Sequence, residues 1–157
     1  MDKLAPKARF DAYAALLGLD ASGVDSIRHS IRPLLANVNE LVRRMNEAMN
    51  HAGASLVLGD VAGERRERLQ SLLASFILRT VNCNFDEEYC NYAHDISHGA
   101  DVPAGLFSLG LTLANDFVTQ TLPLHIDERE QLATMLASWN RLTAALRELT
   151  RKPAAAT

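Results

Sequence analysis

Leu132, Met135, Trp139, Leu142, Leu146 and Leu149 recur at alternating steps of three and four residues. That spacing puts them on one side of an α-helix and cannot keep them on one face of a β-strand. Leu34, Val38, Leu41, Met45 and Met49 form a second such stripe, and Leu69, Leu72, Leu73, Phe76, Ile77 and Thr80 a third. Alternating runs rich in β-branched residues are missing, so the fold class read from the chain is all-α.

The chain has 157 residues, 48% of them hydrophobic, which is enough for a single domain to bury a core without disulfides or metals. Its net charge of −3 leaves no footprint for nucleic acid, and the basic cluster "ERRER" at 64–68 is interleaved with glutamates as on a solvated helix face. The apolar run "VPAGLFSLGLTLA" stops at Asn115 and Asp116 after thirteen residues, short of the ~20 needed to cross a bilayer. Cys83 and Cys90 match no C-x-x-C pattern, and "MDKLAPKARF" lacks the apolar core of a signal peptide, so a cytoplasmic protein without a membrane span is expected. There is no nucleophile elbow, Gly-rich phosphate loop or paired-carboxylate pattern, and no enzymatic activity is expected.

Punctuation divides the helices. A short helix is expected around Phe10 to Leu17, then one capped by Asp20 or Ser22 that bends or restarts at Pro33. "HAGASLVLGD" breaks the pattern with two glycines before the long helix that carries Leu69 to Thr80. Asn84 or Asp86 caps the next segment, Glu87 and Glu88 suit its first turn, and Gly99 closes it. Pro103 is expected to open a helix that runs to about Thr121 and ends at Pro123, and the last helix starts near Asp127.

The stripe from Leu132 to Leu149 has the seam spacing of a coiled coil, and its simpler alternative is a core-facing stripe. The preceding helix is apolar on two faces, Leu106, Leu109, Gly110, Leu113 and Phe117 on one and Phe107, Leu111, Ala114 and Val118 on the other. One face can pack inward and the other against a second copy, so a homodimer through the last two helices is expected. "RKPAAAT" reads as a linker or tail.

"FDEEYCNYAHDISHGADVP", residues 85–103, stacks Cys90, His94 and His98 at four-residue spacing. All three are good metal ligands, but residues eight apart on a helix are separated by ~12 Å of rise. Cys90 and His98 therefore cannot hold one ion, and two histidines alone half-fill a tetrahedral site. By helical angle Phe85, Tyr89, Tyr92 and Ile96 share a face, with His94 and His98 nearly opposite.

The order of these segments resembles a sensor globin, the haem-binding domain of the globin-coupled sensors. The resemblance runs from about Phe10 to Leu149 and is carried by "LLGLD" at 16–20, "IRPLL" at 31–35, "RLQSLLASFI" at 68–77, and "FDEEY" followed by a histidine before "VP". It implies a globin fold over 21–151, with an extension helix in 1–20 and a tail at 152–157. It also implies a haem b cofactor, its iron held from the proximal side by His98, and a distal pocket of Met45, Asn46, Leu69, Leu72, Leu73 and Phe76. The implied function is a diatomic gas (O2, CO or NO) sensor that regulates an attached or partner output domain, as a homodimer; the alternative is a haem-free globin-fold regulatory or dimerisation domain. Two features depart from the family: His98 follows Tyr89 two residues sooner than usual, and Met45 and Asn46 stand where a distal aromatic pair with tyrosine is common.

Overall fold

A computed structural model describes residues 4–60, 63–82 and 84–152. Cys83 and the tail from 153 lie outside the described residues. The described chain is helical throughout, in the order α1 (Pro6–Leu17), α2 (Ala21–Ala36), α3 (Val38–Asn50), α4 (Ala54–Leu58), α5 (Glu64–Val81), α6 (Glu87–Ser97), α7 (Leu106–Thr121), a 3₁₀ turn (Leu122–Leu124) and α8 (Arg129–Leu149). Among the described residues there is no strand, and no helix is long and apolar enough to cross a membrane.

Local chemistry accounts for most of the ends. Gly18 takes φ 78°, and the amides of Gly18 and Leu19 bond back to Ala15 and Ala14, the left-handed stop that only glycine makes without strain. Asp20 then caps α2 by accepting the Gly23 amide at 2.8 Å. Pro33 does not restart the helix: α2 continues through it, and the break comes at Asn37, whose side-chain amide donates to the Pro33 carbonyl at 2.8 Å. Proline removes one intrahelical donor near the end of α2, and the last turn closes on Asn37 instead. Likewise Pro103 forms a turn with Leu106, where α7 begins, and α8 begins at Arg129 because Glu128 accepts the amides of Glu130 and Gln131.

α8 is the wall on which α1, α2 and α7 pack. Met135, Trp139, Leu142, Leu146 and Leu149 are all buried within the one chain, with Leu132 at the edge. The Trp139 indole N–H donates to the Ser30 hydroxyl at 2.7 Å, and that hydroxyl donates to Ile27 O. Serine, small and polar, lets the large ring reach α2 and satisfies its one donor. The stripe with seam spacing is thus a core stripe of the protomer.

The two apolar faces of α7 are also covered by the chain itself. Leu106, Phe107, Gly110, Leu111, Phe117 and Val118 are buried, and Leu109, Leu113 and Ala114 half-buried. Gly110 lies against α5 so closely that an added Cβ would stand 2.3 Å from Leu73. The outward positions Ser108, Thr112, Asp116, Asn140 and Arg141 are polar.

A core role and an interface role predict different outcomes for Leu142, which is fully buried. Leu142→Ala should cost about 2–5 kcal/mol in denaturant unfolding while leaving the sedimentation coefficient of the native protein unchanged. A change in association state without loss of stability would assign the stripe to an interface.

Candidate functional site

The segment after α5 turns sharply into α6 through Phe85, which holds φ 50°. A bulky residue in the left-handed region costs on the order of 1–2 kcal/mol. Its ring is buried, stacked on Phe10 of α1 at 5.8 Å and edge-on to Tyr89 at 5.7 Å. Asp86 then caps α6 by accepting the Tyr89 amide at 2.9 Å, while Glu87 and Glu88 occupy the first turn, as the helix dipole favours.

One face of α6 lies against α5. The Tyr89 hydroxyl is 2.6 Å from the Thr80 hydroxyl, and Thr80 also donates to Phe76 O at 2.7 Å. The Tyr89 ring stacks on Phe76 at 6.5 Å, and Phe76 meets Phe107 of α7 edge-to-face at 5.0 Å. Tyr92, further along α6, carries the Arg79 guanidinium over its ring at 4.0 Å. Burial raises the Tyr92 phenol above its ordinary value, and the Arg79 charge pulls it back.

His94 and His98 sit at the other end of α6, both half-buried, with rings stacked at 4.0 Å. His98 is the C-cap residue, and its Nδ1 lies 2.8 Å from His94 O and 3.0 Å from the Ser97 hydroxyl. A carbonyl only accepts, so Nδ1 carries the hydrogen and, in the neutral ring, Nε2 keeps the lone pair. Lys152, just beyond α8, donates to Gly99 O and Val102 O in the loop that follows. Cys90 is fully buried whereas the histidines are half-buried, and among the described residues no three His, Cys, Asp or Glu side chains are placed to hold a metal.

The residues expected in a distal pocket are divided. Met45, Leu69, Leu73 and Phe76 belong to one buried cluster, and Leu72 packs at its rim. Asn46 is exposed in a surface groove between α3 and α5 with Val42, Glu67 and Gln70. Its amide therefore faces outward, away from the apolar cluster. The sequence stripes did not pair Thr80 with Tyr89, although a threonine on the apolar face of a long helix is a signal that its hydroxyl needs a partner.

Haem is a broad plate, and the resemblance implies that it lies between α5 and α6. That gap is occupied by Tyr89 and Phe76 in contact, with a hydroxyl pair joining the two helices. An apolar cavity among α2, α3, α5, α7 and α8 measures about 30 Å³ and is lined by neither His98 nor Leu69, Leu72, Leu73 or Phe76, whereas sites for drug-sized ligands run to about 300–1,000 Å³. The residues as packed do not fit the group.

No family model, no curated protein and no solved structure matches this chain.

The hydroxyl pair makes a measurable contribution if it holds α6 in place. Tyr89→Phe should lower unfolding stability by about 1 kcal/mol with an unchanged far-ultraviolet spectrum, and hydrogen exchange should speed up in α6 more than in α8. Equal acceleration in both helices would mean that the pair has no local role.

Proposed function

We propose that this chain is a haem-free, globin-like regulatory domain that acts through contacts with an attached or separate partner protein. The order of its helices supports the likeness to a sensor globin: a leading helix, a helix pair divided near a proline, the short α4, a long α5, α6, then two long helices packed together. The observation that carries the haem-free assignment is the direct closure of α5 on α6 through Tyr89 and Thr80. A regulatory domain needs no reacting group.

Association of two copies through α7 and α8 would use their polar outer positions and the half-buried Leu109, Leu113 and Leu132, since the fully buried apolar residues are in the protomer core. A haem-based gas sensor is the second assignment, and one feature favours it. His98 is oriented by His94 O, which leaves Nε2 as the atom for a ligand bond, the arrangement that second-sphere carbonyls give to metal-binding histidines. It requires α6 to move off α5 and break the Tyr89–Thr80 contact.

Titration of the purified protein with ferric haem, followed by reduction under carbon monoxide, separates the two. The expected result is no intense Soret band at one haem per chain. A stoichiometric band that is lost in His98→Ala would overturn the haem-free assignment.

A further inference from the structure

In a haem-free chain the stacked histidines at the end of α6 serve no cofactor, yet both are oriented as ligands. His98 Nδ1 donates to His94 O at 2.8 Å, and His94 Nδ1 donates to the Asp95 carboxylate at 3.3 Å. A carbonyl and an ionised carboxylate only accept, so in both neutral rings Nδ1 carries the hydrogen and Nε2 keeps its lone pair. A backbone carbonyl and a carboxylate are also the partners that orient metal-binding histidines from behind.

Four-residue spacing puts the two side chains one turn apart on the same face of the helix. Their rings are 4.0 Å apart at the centres and inclined by 21°. An ion with bonds of about 2.0–2.1 Å holds two neighbouring nitrogens about 3 Å apart, about 1 Å closer than the ring centres stand. Rotation of the two half-buried side chains closes that difference. Among the described residues no third His, Cys, Asp or Glu completes a set, and with Asp95 exposed beside the pair, solvent water reaches the remaining positions. The ion that suits two imidazoles and water oxygens best is copper(II), which takes tetragonal nitrogen and oxygen ligands and leads the divalent affinity order. Positive charge is also favoured at a helix C-terminus.

We infer that His94 and His98 form a two-imidazole chelate for one divalent transition-metal ion, held tightest as copper(II) with water in its other positions. Gly99, the next residue, accepts a bond from Lys152 just beyond α8, so the ion sits beside the contact that fixes the end of α8. Haem would take His98 alone, so the inference rests on the haem-free assignment. The two fail separately: a haem complex shows as a Soret band that survives His94→Ala, whereas the copper complex shows in electron paramagnetic resonance and is lost in that variant.

The full chain without haem is titrated with copper(II) chloride in a non-chelating buffer and followed by electron paramagnetic resonance and by NMR. One ion per chain should bind saturably, with a tetragonal spectrum split by two nitrogens and with line broadening strongest at His94, Asp95, His98 and Gly99. His94→Ala and His98→Ala should each weaken binding about a hundredfold, because each removes the second, intramolecular ligand. His29→Ala, at an exposed histidine of α2, should leave binding unchanged. Zinc(II), lower in the same order, should displace copper only in excess. If circular dichroism shows that His98→Ala disturbs α6, His98→Asn keeps a polar amide at the helix end and removes the imidazole. Uptake that stays linear with copper, a spectrum with one nitrogen, or binding that persists when either His94 or His98 is replaced would overturn the assignment.

Discussion

A tyrosine hydroxyl 2.6 Å from a threonine hydroxyl, both residues in the core, holds α6 against α5. Hydroxyls taken out of water without partners cost on the order of 1–3 kcal/mol each, so closure of the two helices and formation of this bond go together. Around it runs a continuous series of rings from Phe10 through Phe85, Tyr89 and Phe76 to Phe107, which joins α1, the turn before α6, α6 itself, α5 and α7. The left-handed backbone at Phe85 has its cost offset in this series, because that conformation aims the ring between Phe10 and Tyr89. The leading helix is thereby tied to the rest of the core, with Phe10 and Ala14 in the same cluster as α5 and α8.

The stripe on α8 illustrates how one periodicity serves two architectures. Steps of three and four fit both a two-chain seam and a helix buried by its neighbours, and the pattern on α8 alone does not choose between them. The choice is made by the other helices. α1, α2 and α7 all present apolar residues to α8, and Ser30 opens the space that Trp139 fills. With most of α7 covered as well, and Leu109, Leu113 and Ala114 half-buried at its edges, the apolar stripes are largely satisfied inside one chain.

Helices with strong periodicity were legible in the sequence, because their apolar residues have a single way to share a face: the stripes of α3, α5 and α8 are buried as read except for Val38, Leu72 and Leu132, which are half-buried. Caps were legible as pairs of candidates, Asp20 or Ser22 and Asn84 or Asp86, and in each pair it is the aspartate that accepts the orphan amide. Boundaries set by competition were not. Pro33 reads as a break, yet the amide of Asn37 supplies a bond that lets the helix run to Ala36. At the candidate site, helical angle did separate Tyr89 from His94 and His98, which is the division observed: Tyr89 is buried against α5, and the histidines are half-buried at the helix end. Asn46 lies outside the apolar cluster for a simple reason, as it neighbours Met45 in sequence but sits about 100° around the helix from it, where α3 faces solvent.

A closed α5–α6 gap and a persistent hollow elsewhere in the core are compatible on energetic grounds. At about 24 cal/mol per Å³ of cavity, a hollow of about 30 Å³ costs about 0.7 kcal/mol, small beside the 5–15 kcal/mol that typically separates folded from unfolded states. Room for haem would require separating Tyr89 from Thr80 and Phe76, and those buried hydroxyls and ring contacts make that the more expensive void. The small hollow needs no such separation: Thr80 and Thr143 on its wall donate to the backbone carbonyls of Phe76 and Trp139, and the Trp139 indole donates to the Ser30 hydroxyl. The core therefore tolerates emptiness where only dispersion is lost, and closes where hydroxyls would be stranded.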